Sequence, residues 1–117
     1  MRILYAIQGT GNGHLARARE IVPLLKKRVQ TDVLISGIQF DLDALPFQID
    51  YQYKGLSFVF GKGGGVDFWQ TLSRNNPFRL IREIGSVPVS QYHLVINDFE
   101  PVTAWACKLR SVPCLGM

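Results

Sequence analysis

The stretch Gln8–Arg17, "QGTGNGHLAR", sets three glycines and a histidine between an apolar run and what reads as a helix. A strand that ends in glycines ahead of a helix exposes backbone N–H groups at the positive end of a dipole, which suits a phosphate or another anion. Three chemistries compete for such a loop. A dinucleotide fingerprint, G-x-G-x-x-G/A, counted from Gly9 meets His14 where its third glycine belongs. Counted from Gly11 it finds Ala16 in register, but the second apolar run, "TDVLISG", ends without the carboxylate that would hold a ribose. A nucleoside-triphosphate loop needs Lys followed by Ser or Thr after G-x-x-x-x-G, and neither Gly9 nor "GKGGG" at Gly61–Gly65 supplies it. The third reading takes the histidine as the point of the motif. Glycines let a ligand come close, and His14 at the helix start offers a base near neutral pH.

A base works best when a third group orients it. In an open α/β sheet the ligand crevice lies beyond the carboxyl ends of the strands, where the first strand meets the one laid down on its other side. Chain order makes that partner "HLVIN", His93–Asn97, whose exit loop "DFEP" carries Asp98 and Glu100. Asp98 is then expected on the rim facing His14, where a carboxylate steadies an imidazole and its protonated form. The competing expectation is that Asp98 or Glu100 caps the following helix, with Pro101 in its first turn.

These residues need a frame. Arg2–Gln8 is apolar on both faces, as a central parallel strand must be. The helix "HLARAREIVPLLKKR" brings Leu15, Ala18, Val22 and Leu25 to one side, with Pro23 expected to bend it and its cations at the C-terminal end. Thr31–Ser36 is a second strand ended by Gly37, Phe47–Tyr53 reads as a third, and "LSFVF" at Leu56–Phe60 as a short further one. Asp67 with Gln70 resembles a capping box, and Asn76 with Pro77 opens a helix with Phe78, Ile81 and Ile84 on one side. Pro101–Arg110 is a helix whose Val102, Trp105, Ala106 and Leu109 share a face, and Val112–Leu115 starts a last strand. His93 and Trp69 read as structural residues. The order is that of a doubly wound α/β domain with a mostly parallel, Rossmann-like sheet.

Composition bounds the rest. A chain of 117 residues is one domain long, and a net charge of +4 is a mild excess that calls for no nucleic-acid partner. No run approaches a membrane span and no leader pattern opens the chain, so the expected location is cytoplasmic. The basic helix end "LLKKRV" reads either as a solvated, dipole-matched terminus or as a peripheral contact with the inner face of the membrane. Cys107 and Cys114 lie without a further Cys or His at metal-ligand spacing, so no metal is expected and both are read as buried free thiols.

The opening "MRILYAIQGTGNGHLARARE" resembles GT-B glycosyltransferases related to the enzyme that adds N-acetylglucosamine to the lipid-linked peptidoglycan precursor. Closer still, "QGTGNGH" together with "DFEP" is similar to a microbial group of predicted glycosyltransferases. The resemblance implies two Rossmann-like domains, of which residues 1–117 match the N-terminal, acceptor-binding one, and a C-terminal domain outside these residues that binds the nucleotide-sugar donor. It implies an inverting enzyme with a sugar or lipid-linked acceptor, His14 as the base, Asp98 as its orienter, and no cofactor. Gly9, Thr10, Gly11, Asn12, Gly13 and Glu100 become candidates for the acceptor or its phosphate. Gly61–Gly65 is a second acceptor-loop candidate or a linker. "DFEP" stands where the lipid-linked enzyme has a second glycine-rich motif, a departure that counts against a lipid-diphosphate acceptor. The alternative is a non-catalytic, Rossmann-like module that holds an anionic ligand, or that pairs through a bare sheet edge as a homodimer or with a partner chain.

Overall fold

The alternation of side chains along β1 (Arg2–Gln8) puts Ile3, Tyr5 and Ile7 on one face and Leu4 and Ala6 on the other, and all five are buried. A strand with no polar face needs cover on both sides. The computed structural model, which describes residues 1–9, 12–37, 45–53 and 77–117, supplies it. α1 (Asn12–Lys26) lays Leu15, Ala18 and Val22 over the Ile3, Tyr5 and Ile7 face. α2 (Pro77–Ser86) and α3 (Pro101–Arg110) cover the other, where Val102, Ala106 and Cys107 meet Leu4, Ala6, Leu34 and Val95. Each fully buried Val, Leu or Ile contributes about 1.5–3 kcal/mol, so the two layers hold the sheet between them.

The sheet has five strands in the order β3-β2-β1-β4-β5, every neighbouring pair parallel. β2 (Gln30–Ser36) flanks β1 on one edge and β4 (Leu94–Asp98) on the other. The chain winds outward through β2 to β3 (Tyr51–Tyr53), then restarts at β4 and finishes in β5 (Cys114–Gly116). The fold is therefore α/β, doubly wound and Rossmann-like, with its switch point between β1 and β4.

Local chemistry departs from the sequence pattern in four places. The third strand is Tyr51–Tyr53 rather than Phe47–Tyr53, because the Asp50 carboxylate, not a strand carbonyl, takes the Val33 N–H at 2.8 Å, while Phe47 and Ile49 pack against the α1-side core. On α3 the buried stripe is Val102, Thr103, Ala106 and Cys107, leaving Trp105 and Leu109 53% and 71% exposed. Thr103 goes inward because its hydroxyl is hydrogen-bonded to Glu100 and Asn97, and that rotates the helix away from the expected face. On α2 it is Leu80 and Ile84 that meet the core, with Phe78 and Ile81 exposed. Cys107 is buried and free as expected, but Cys114 is exposed, since it sits on β5 at the sheet edge.

α1 runs through Pro23 to Lys26. The expected strand Leu56–Phe60, the Gly61–Gly65 loop, the Asp67 and Gln70 box, Trp69 and Asn76 lie outside the described residues. His93 has a backbone role, accepting the Arg2 N–H on Nδ1 at 2.9 Å.

Candidate active site

The register of β1 on β4 pairs Ile7 with Asp98, so the last residue of β4 ends level with the end of β1. α1 starts at Asn12, just beyond that end, and carries His14 in its first turn. Two elements far apart in sequence thus deliver their side chains to one place: His14 Nδ1 lies 2.7 Å from Asp98 Oδ1. Asp98 is fully buried and His14 is 28% exposed by its side chain, so the carboxylate is walled in and the ring reaches the surface. A carboxylate only accepts hydrogen bonds, so Nδ1 carries the hydrogen, and the lone pair of the neutral ring sits on Nε2. That is the arrangement of a base held by an orienting group.

Arg17 and Phe99 complete the cluster. Arg17 donates to the same Asp98 Oδ1 at 3.1 Å from one helical turn beyond His14. The Phe99 ring stacks on the imidazole, with centroids 5.7 Å apart and planes within 5°. Phe99 reaches that position with φ at 59°, in the left-handed region that a bulky side chain adopts only under constraint. Tyr5 lies buried nearby, and burial pushes its hydroxyl up to about 12, with the charge of Asp98 adding and that of Arg17 opposing. It stays protonated at neutral pH.

Asp98 is free for this work because Glu100 takes the cap of α3. Its carboxylate accepts from the N–H groups of Val102 and Thr103 at 2.8 and 2.6 Å, and from the hydroxyls of Thr103 and Ser36 at 2.7 Å each. Two carboxylate oxygens offer about four lone-pair sites, and the chain itself fills them. Glu100 is thereby a buried cap whose lone pairs are taken up within the chain. Burial pushes its carboxyl above the ordinary carboxylate range, against the pull of those four bonds.

The Gly9 N–H is already spent on the Ser36 carbonyl at 2.6 Å. Thr10 and Gly11 lie outside the described residues, and the side chain of Asn12 is not among those described. Gly13 is exposed in the first turn of α1, with open space where a Cβ would be. Among the described residues no group of three or more His, Cys, Asp or Glu could hold a metal ion.

The expected juxtaposition of His14 and Asp98 is a direct contact, and of the two expected caps, Asp98 or Glu100, it is Glu100 that serves, while Arg17 and Phe99 were not singled out from the sequence. The spacing of Arg17 from His14 is a helical turn, a signal available in the sequence. For Phe99 there was none, since nothing in its residue type announces a left-handed backbone.

A parallel sheet in this order, with helices on both faces, defines a Rossmann-like domain and is consistent with one of GT-B type. The comparison with protein families agrees: the model described as glycosyl transferase family 1 matches residues 1–117, and the chain belongs to that family. A comparison with curated proteins finds no match. Membership makes glycosyl transfer the general activity, with sugar-donor and acceptor substrates. Among the described residues no helix is long and apolar enough to cross a membrane.

Proposed function

We propose that this domain is the acceptor-binding half of an inverting glycosyltransferase and that His14 is its base. The acceptor hydroxyl attacks the anomeric carbon of a nucleotide sugar, a carbon–oxygen bond forms as the bond to the nucleotide phosphate breaks, and His14 Nε2 takes the hydroxyl proton. Asp98 holds the ring by Nδ1 and faces the positive charge that develops on it. Gly13, in the first turn of α1, lines the acceptor side, and a further, donor-binding domain brings the nucleotide sugar. The observation that carries the reading is the 2.7 Å contact between a partly exposed imidazole and a fully buried carboxylate.

General base catalysis contributes about 10²–10⁴-fold. In the enzyme complete with its donor domain, His14→Ala is expected to lower kcat by that order while the acceptor KM stays within a few-fold. A His14→Ala enzyme that transfers sugar at the parent rate overturns the assignment and leaves a domain that only binds.

A further inference from the structure

Asp98 is a fully buried carboxylate with few groups to match its charge. Its Oδ1 receives His14 Nδ1 at 2.7 Å and Arg17 at 3.1 Å, while its Oδ2 is buried with no hydrogen-bond partner among the described residues. Both donors come from α1. Glu100, two residues on, shows the contrast, since four donors converge on its carboxylate and two of them are backbone N–H groups at the start of α3. A buried charge persists only where hydrogen bonds or an opposite charge match it. Asp98, with one oxygen bare, depends on a cation.

Among the described residues the ion pairs of Asp98 are with these two side chains, and the two differ in what the pairing takes from them. An imidazole becomes a cation only by taking a proton on Nε2, and its lone pair goes with it. Shared between a buried carboxylate and an imidazole, a proton settles on the imidazole, the stronger base by ordinary values of about 6.5 against 3.9. A His14 left alone with Asp98 would thus be drawn towards imidazolium, which cannot act as a base. A guanidinium carries its charge at every working pH and loses nothing by the pairing. The other groups about the ring supply no cation: Tyr5 on β1 stays protonated and donates to Met117 Sδ at 3.6 Å, Phe99 is uncharged, and the Glu100 carboxylate is turned to Ser36, Val102 and Thr103.

We propose that Arg17 is a positioning residue for the base: by matching the charge of Asp98 permanently, it lets His14 rest neutral, with Nδ1 donating to Asp98 and Nε2 open. The proposal rests on the reading of His14 as the base. It accounts for the spacing, since residues 14 and 17 lie one helical turn apart and one face of α1 brings both to the same oxygen. It also bears on the end of the reaction. Once the ring has taken the acceptor proton, Asp98 faces two cations, and the repulsion between them favours release of that proton to water. The Arg17 side chain is 44% exposed, so solvent screens its charge and the effect on the ring is graded rather than all-or-none.

The first test reads the ring itself and needs no turnover, which separates it from the test of His14→Ala. The chain has two histidines, so the imidazole nitrogen resonances of His14 are followed against those of His93, which lies at the opposite end of β4. Near neutral pH the parent is expected to show hydrogen on His14 Nδ1 and a bare Nε2. Arg17→Met keeps a good helix former and removes the charge. The ratio of imidazolium to neutral imidazole at His14 should rise about fivefold, the effect of one unit charge about 4 Å away in water, with His93 unchanged. Arg17→Lys, which keeps the charge, should return the ratio most of the way to the parent. In the complete enzyme, Arg17→Met should lose transfer near neutral pH and regain it as pH rises, because the extra proton then leaves the ring. An unchanged ratio in Arg17→Met, a ratio that Arg17→Lys raises as much, or transfer lost equally at neutral and alkaline pH overturns the proposal. If Arg17→Met leaves the ring unchanged while His14→Ala abolishes transfer, the base reading stands and the role of Arg17 falls. If the ring gains its proton while His14→Ala transfers sugar at the parent rate, the charge balance stands and the base reading is lost.

Discussion

At the scale of single residues, the site depends on a backbone conformation that its side chain disfavours. A left-handed non-glycine residue costs about 1–2 kcal/mol, and Phe99 bears that cost to bring its ring against His14. Phe99→Gly removes the strain and the ring together. The expected outcome is an unfolding free energy within about 1 kcal/mol of the parent by urea titration, with transfer by the complete enzyme reduced about tenfold. A large loss of stability instead would show that Phe99 serves packing rather than the base. The sequence located His14 and Asp98 because the switch-point rule needs only strand order. Arg17 could have been read from its spacing, but Phe99 could not. Its role lies in one dihedral angle, which depends on Asp98 being drawn to α1 while Glu100 is drawn into α3.

At the scale of elements, the start of α3 is the joint that makes the site. Four donors converge on the Glu100 carboxylate, one of them from Ser36 at the end of β2. Glu100→Gln relieves the burial of a charge but, whichever oxygen it replaces, turns an amide nitrogen toward a backbone N–H, of Val102 or of Thr103, that can only donate. Since an unmatched buried donor costs about 1–3 kcal/mol, loss outweighs relief, and the variant is expected to be roughly 2 kcal/mol less stable in denaturant titration. A more stable Glu100→Gln protein would mean that desolvation of the charge dominates. The same joint explains which helix faces the sequence misjudged. On α3, Val102 and Ala106 fit the stripe with Trp105 and Leu109 and also the stripe with Thr103 and Cys107, and hydropathy favours the first. The cap decides for the second by holding the Thr103 hydroxyl inside. Element positions were legible because Gly9, Gly37 and Pro101 bound apolar runs. Rotations were not, because polar bonds across the fold set them.

At the scale of the whole molecule, buried weak acids set its alkaline limit. Burial pushes the Cys107 thiol from 9.0 up to about 12 and the Tyr5 hydroxyl from 10.0 up to about 12. Both folded values lie above the unfolded ones, so the unfolded chain releases these protons first. The associated stability is whole below pH 9 and is lost as pH rises towards 12. Unfolding free energy measured between pH 8 and 11 should fall with increasing slope, and Cys107→Ala should reduce that slope by about one proton. An unchanged slope would mean that the thiol titrates alike in both states. The sheet order has a consequence for synthesis as well. β1 is made first and finds β2 soon after, but its other neighbour, β4, follows about sixty residues behind β2. At about 5–20 residues per second, the most apolar strand leaves the ribosome with one edge open for roughly 3–12 s. The strand that aligns the two halves of the site is therefore the one that a nascent-chain chaperone would have most reason to cover.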